Sequence, residues 1–457
     1  MAAASGLLGA GAIAGAGAAA ADDAIQHQGG AVATLDGLQK EASGEAVLRI
    51  DGKDKKIVAG LFSMTVEDGG QLQTYCIDIH NPTQDQAKYL ETPWDQTSLG
   101  SNDQAGKIRW ILQHSFPQVN DFAALAKSAG IKDAELNEKS AAVGTQVAIW
   151  RFSDGAEVTA VDPQAEQLAD WLEESAKDLA EPEASLTLEP NAVSGKPGGR
   201  LGPVTVRTDA GQATVTPPVD AAASGIKITD EAGKPVTSAV DGSKLYFDVP
   251  EGAADGTATL GVKASMSVPV GRAFASASKS QTQILAGSSE STVSATATAT
   301  WAKQGAIPAV SVEKNCVEGG VDVTASNKGD EPFSFSLAGI EHTIPAGESR
   351  TVTVPVAEDQ AYDFTITGPG GFEKHFKGVL DCKTASAPPE PGTETPSSPS
   401  SEPSPASAGG SSAGVEGDLA ATGGSSATPM IAGIAIALVL AGGGAIFFLR
   451  KKRATGV

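Results

Sequence analysis

The sequence predicts a multidomain chain: a mixed α/β domain, two β-sandwich domains of the Ig-like kind, a disordered stalk and a C-terminal transmembrane helix. Three observations carry this reading. Tryptophan and helical periodicity are concentrated before residue 186. Val/Thr/Ser alternation, punctuated by Gly, Pro and Asp, dominates residues 186–383. Beyond 383 a Pro/Ser tract gives way to a continuous apolar run. A length of 457 residues suits two or three folded domains.

In chain order, residues 1–21 are uncharged, small and apolar, and Ala19 and Ala21 form an A-x-A cleavage pattern before Asp22. This reads as a signal peptide. Residues 41–185 hold Trp94, Trp110, Trp150 and Trp171, helical patterns at Asp103–His114 and Asp162–Leu179, and strand-like runs at Glu45–Ile50 and Leu61–Val66. They form the α/β domain. Residues 186–304 contain VTVRT, ATVTP, GIKITD, KLYFDVP, TATLGVKAS and STVSATATATW, spaced by turn residues as in a β-sandwich. Segment 264–283 reads as an added strand pair of the same sandwich. Residues 305–383 repeat the pattern, clearest in SRTVTVPV, with Cys316 and Cys382 near the two ends. In an oxidising compartment two such cysteines read as a disulfide. Closing that loop would stabilise by about 3–5 kcal/mol in the chain-entropy model.

Residues 384–418 are rich in Pro, Ser, Gly and Glu and cannot bury enough apolar surface to offset ordering entropy, so they are expected to be an extended stalk. The end of the chain, 419–457, has three parts: Leu419-Ala420-Ala421-Thr422-Gly423, the apolar run 430–449, and Arg450, Lys451, Lys452 and Arg453. Twenty helical residues match a bilayer core, and the basic cluster stays on the cytoplasmic side. The pentapeptide resembles a sortase sorting signal in the LAxTG form of actinobacteria. The resemblance implies sortase and peptidoglycan as partners, cleavage after Thr422, and a cell-wall-anchored surface protein that meets the membrane only before sorting.

Net charge is −22, which excludes a nucleic-acid partner, since phosphate binding needs a basic surface. No cofactor or metal is expected.

The third cysteine, Cys76, stands in Thr74-Tyr75-Cys76-Ile77-Asp78, and Thr145-Gln146-Val147-Ala148-Ile149-Trp150 follows 70 residues later. The TYCID and TQVAIW segments resemble the two halves of the Cys–Gln thioester domain, or TQxA domain, of Gram-positive surface adhesins. The resemblance covers roughly residues 41–185. It implies that Cys76 sulfur is bonded to the Gln146 side-chain carbonyl with loss of ammonia, and that an amine-bearing surface or host macromolecule is captured as an amide. Such a single-turnover capture is not enzymatic. Around that bond, Tyr75 would exclude water and Trp150 reads as core. Asp78, two positions along the strand, shares the face of Cys76. His80 and His114 are candidate bases, although each is more often structural. Two competing readings remain: a structural wall protein with Cys76 inert in a core, and a cysteine hydrolase pairing Cys76 with His114.

Overall fold

The computed structural model describes residues 29–131, 136–276 and 278–383. The expected signal peptide 1–21, the expected stalk 384–418, and the expected sorting signal 419–457 with its apolar run 430–449 lie outside the described residues. No helix among the described residues is long and apolar enough to cross a membrane.

The chain opens with a long antiparallel hairpin of β1 (Val32–Ile50) and β2 (Lys53–Val66). Its turn is Asp51-Gly52, with φ of 50° and 73°. Two successive positive φ values define the type I′ turn, which an Asp-Gly pair favours and which matches the twist of the strands. Then come β3 (Gln71–Cys76), β4 (Lys88–Thr92), α1 (Ala105–His114), α2 (Phe122–Ser128), α3 (Glu138–Ser153), β5 (Val158–Ala160) and α4 (Pro163–Ser175). α3 starts on Asn137, whose side chain accepts the Ser140 N–H, and α4 on Asp162, which accepts the Gln164 N–H. Both side chains satisfy helix-end donors that would otherwise be orphaned. α3 is buried along nearly its whole length because it packs against β1 and β2 on one side and α4 on the other. Gly144 lets α3 and α4 meet closely: a Cβ there would stand 2.5 Å from the Ala165 carbonyl oxygen.

The second β unit comprises β6 (Leu186–Glu189), β7 (Ala192–Gly195), β8 (Arg200–Thr208), β9 (Ala213–Thr216), β10 (Lys227–Thr229), β11 (Ser238–Ala239), β12 (Lys244–Asp248), β13 (Gly256–Ser267), β14 (Ala273–Ser276), β15 (Gln283–Ser288) and β16 (Glu290–Trp301). Two sheets form, in orders β10-β12-β8-β6 and β11-β9-β13-β16-β7. Their alternation turns Leu188, Val204, Val206, Leu245 and Phe247 from one sheet, and Leu260, Val262, Val293 and Ala295 from the other, into one hydrophobic core.

β14 and β15 join neither sheet. β14 pairs with β4, and β15 pairs with β3. The order β2-β3-β15-β14-β4-β1, together with the β1–β2 pairing, closes six antiparallel strands into a ring, with β5 added at the far end of β1. This corrects two expected boundaries. The N-terminal domain begins with β1 rather than at residue 41, and it is completed by 273–288, which the sequence reading assigned to the sandwich. Phe274, Ile284, Leu285 and Ala286 are buried because this hairpin is built into the ring rather than laid on a surface. A buried ion pair joins the same pieces: Arg272 Nε donates to Glu91 at 3.0 Å, and Glu91 also accepts from the N–H groups of Ala31 (3.0 Å) and Ser185 (2.9 Å).

The third unit contains β17 (Pro308–Asn315), β18 (Gly320–Asn327), β19 (Phe333–Leu337), β20 (Ile340–Ile344), β21 (Ser349–Pro355), β22 (Ala361–Thr367) and β23 (Glu373–Val379). The strands form a β17-β18-β21 sheet and the separate hairpins β19–β20 and β22–β23. The Ig-like expectation of two broad facing sheets is therefore not what forms among the described residues. The two hairpins pair only within themselves, and a shared core including Val312, Val323, Phe333, Phe335, Ile366 and Phe376 holds the pieces together. Cys316 and Cys382, 66 residues apart, are joined by a disulfide.

Candidate functional site

Cys76 is the last residue of β3, and its pairing partner across the sheet is Gln283, the first residue of β15. Both are buried, as are Thr74, Tyr75, Thr145 and Gln146. Two glutamine carboxamides converge on the cysteine. Gln146, midway along α3, binds the cysteine's main chain: the Cys76 N–H donates to Gln146 Oε1 at 3.0 Å, and Gln146 Nε2 donates to the Cys76 carbonyl at 2.9 Å. The side chain thus imitates a neighbouring strand and satisfies both backbone groups where no strand can reach. Gln283 binds the sulfur. Its Nε2 donates to Cys76 Sγ at 3.0 Å, and its Oε1 accepts the Thr74 hydroxyl at 3.0 Å.

This arrangement revises the expected pairing. Gln146 does meet Cys76, but both ends of its carboxamide are taken up by the cysteine backbone. The carboxamide presented to the sulfur is that of Gln283, 207 residues downstream of Cys76. Its nitrogen is one covalent bond from the carbon that a thioester would use. Sequence reasoning missed Gln283. The local signal was weak: polar residues at 281 and 283, spaced to share one face of a strand that leads into the apolar Ile284-Leu285-Ala286.

The other expected residues separate into neighbours and bystanders. The Tyr75 hydroxyl donates to the Phe116 carbonyl at 2.9 Å, and burial pushes the phenol well above its ordinary pKa. Tyr75 therefore stays neutral and packs as part of the wall. Thr145 donates to the Ala141 carbonyl at 2.7 Å and meets the Ser115 hydroxyl at 2.7 Å, tying α3 to the end of α1. Trp150 is core, with its indole Nε1 buried and unpartnered. His114 stacks on Trp110 at 3.9 Å between ring centroids and bonds the Trp110 carbonyl through Nδ1 at 2.8 Å. Both contacts lie on its own helix, and neither brings it to Cys76.

Asp78, expected on the strand face of Cys76 where it could bond a neighbouring backbone group, is 2% exposed. It sits in the turn after β3, where its carboxylate accepts the His80 N–H at 3.2 Å and the Asn81 side-chain amide. Burial raises its pKa to about 7, with the charges of Asp154 and Asp381 adding to the shift. Asp154, at the C-cap of α3, holds the Ile79 N–H at 2.9 Å, and burial raises its pKa to about 6. His80 and Asp154 line an open cleft of about 500 Å³ together with Arg49, Asp51 and Glu157. Burial, with smaller additions from the charges of Asp154 and Asp78, pushes the Cys76 thiol well above its ordinary pKa, while the Gln283 donor opposes the shift. The thiol is therefore held protonated. That is the reverse of the depressed pKa that activates a hydrolase nucleophile.

Residues 73–178 match the thioester domain family, and residues 308–379 match the C-terminal domain of bacterial phospholipase C. The first match places a thioester domain in this chain. It spans Cys76 and Gln146 and stops short of Gln283. No curated protein matches the chain. Among solved structures, the Bacillus anthracis TIE protein aligns at 16% identity and a TM-score of 0.27, over 76% of this chain and 63% of its own length. This chain therefore spans less than two thirds of that protein. The thioester domain of the Enterococcus faecium TIE86 protein aligns at 16% identity and a TM-score of 0.28, over 60% of this chain and 97% of its own.

Proposed function

We propose that this chain is a surface protein that captures amine-bearing targets covalently, through an internal thioester between Cys76 Sγ and the side-chain carbonyl carbon of Gln283. The observation that carries the reading is the Gln283 carboxamide held at 3.0 Å from the buried sulfur while Gln146 is committed to the cysteine backbone. In the forming step, sulfur attacks Gln283 Cδ, the Sγ–Cδ bond forms, and the Cδ–Nε2 bond breaks. The thiol proton leaves with the departing nitrogen as ammonia. Thr74 donates to the oxygen on which negative charge builds, the role of an oxyanion-hole donor. In the capture step, a target amine attacks the same carbon, an amide forms, and Cys76 regains its proton as a free thiol. Each chain reacts once, so the activity is not enzymatic.

The setting is part of the proposal. A signal peptide at 1–21, the stalk 384–418 and the sorting signal Leu419–Gly423 fit secretion, transfer by a sortase and attachment through Thr422 to peptidoglycan. The captured molecule is an amine-bearing surface or host macromolecule. A covalent bond suits a tethered protein, because it survives load that a non-covalent contact does not.

The test is the denatured intact mass of the exported protein before and after methylamine. The expected result is a deficit of about 17 Da, the ammonia expelled when sulfur acylates, replaced after methylamine by a tag that peptide mapping finds on Gln283. A tag on Gln146 would return the bond to the motif glutamine. No deficit and no tag would leave a structural wall protein with an inert buried cysteine.

A further inference from the structure

The third unit reaches the reactive pair. Asp381, at the end of that unit, accepts the Thr282 hydroxyl at 2.9 Å. Thr282 immediately precedes Gln283, and its carbonyl accepts the Ile77 N–H at 3.1 Å, one residue beyond Cys76. Thr282 is 2% exposed. A single buried threonine thus links the acyl-bearing strand, the cysteine-bearing strand and the disulfide-closed unit.

Asp381 is held in place by several independent ties. Its neighbour Cys382 is in the disulfide with Cys316, just beyond β17. β17 itself packs beside the turn at Trp94–Gln96 of the N-terminal domain. Glu358 accepts the backbone N–H groups of Cys382 at 2.7 Å and Lys383 at 2.8 Å. Asp359 N–H bonds the Leu380 carbonyl at 2.9 Å, and Leu380 N–H bonds the Gln360 carbonyl at 3.0 Å. Charged neighbours surround the carboxylate: Lys314 from β17 attracts it, Glu358 and Asp359 repel it, and Asp78 feels it from across the reactive site. Five contacts converging on one short segment hold a side chain far more firmly than an isolated surface contact, because little conformational entropy is left to lose on making the bond to Thr282.

We propose that the disulfide-closed unit completes the reaction site in cis, and that Asp381 is a positioning residue which, through Thr282, holds the Gln283 acyl group against Cys76 and closes the site to water. This rests on the Cys76–Gln283 reading above. With the hydrogen bond gone, the start of β15 loosens and water gains access to the thioester carbon. The lost bond has a charged acceptor, and the lower end of its usual worth corresponds to about a tenfold change in rate.

The test uses the full exported chain and follows the half-life of the 17 Da deficit in buffer without amine, beside the rate of methylamine capture. Asp381→Ala is expected to shorten the half-life about tenfold. Thr282→Val, which removes the same bond from the other side with little change of shape, is expected to do the same. The double variant should be no worse than either single one, since both delete one interaction. Asp381→Asn keeps an oxygen acceptor and should restore most of the wild-type half-life, a rescue that simple loss of packing would not give. If Asp381→Ala misfolds, Thr282→Val carries the test. A wild-type half-life in both Asp381→Ala and Thr282→Val overturns this inference alone. Absence of the deficit from the wild-type protein overturns the thioester reading, and this inference with it.

Discussion

The two-ended grip of Gln146 on the Cys76 backbone makes a quantitative prediction that is independent of any covalent bond. In a Cys76→Ala background no thioester can form, yet the backbone N–H and C=O of residue 76 remain. Adding Gln146→Leu leaves both groups without partners in a site where Cys76 is 1% and Gln146 0% exposed. An unsatisfied buried backbone group costs about 1–3 kcal/mol, and part of this is returned by the apolar leucine. The expected loss is about 2–5 kcal/mol. Urea unfolding of Cys76→Ala and of Cys76→Ala/Gln146→Leu measures it as a lowered midpoint at unchanged slope. If Gln146 were only an acyl donor, the second substitution would cost little once the sulfur is absent. A difference under about 0.5 kcal/mol, the size of an ordinary neutral substitution, would refute the clamp.

Three further outcomes follow from the same geometry. Glu91→Ala removes one of the two carboxylates that pair with buried Arg272, leaving Glu181, and frees the Ala31 and Ser185 N–H groups; the two orphaned donors alone are expected to cost about 2–5 kcal/mol, read by urea unfolding. Asp78 and Asp154 have pKa values raised from 3.8 to about 7 and about 6, chiefly by burial. The folded chain therefore holds these protons longer than the unfolded one. The stability they contribute is present below pH 3.8 and is lost as pH rises toward 7, so Asp78→Asn should flatten the fall in melting temperature between pH 4 and pH 7, and an unchanged slope would count against the burial argument. Replacing Cys316 and Cys382 together by serine removes a 66-residue loop closure and should destabilise the chain by about 3–5 kcal/mol, with a larger drop in local hydrogen-exchange protection around 357–383 than elsewhere.

Local chemistry was legible in the sequence wherever a residue's neighbours along the chain decide its state. The Asp162 cap and Pro163 start of α4, the Asp51-Gly52 turn and the alternation in β13 and β16 are of this kind. Cys76 and Gln146 were also legible as members of one site, because the T-Q-x-A and Y-C-I-D segments each carry their residue types in a fixed local order. Which glutamine faces the sulfur was not. That choice depends on β15 entering the ring between β3 and β14, a pairing between segments separated by a whole sandwich domain. Strand partners are selected by edges that become adjacent only after the rest of the chain has packed, and nothing in the local pattern of Gln281-Thr282-Gln283 marks its partner. The placement of Asp381 on Thr282 has the same origin. The residue types that make acyl chemistry conceivable are written in the sequence, but only the tertiary structure brings a carboxamide from the middle of the chain, and a carboxylate from near the end of its described part, to one buried sulfur.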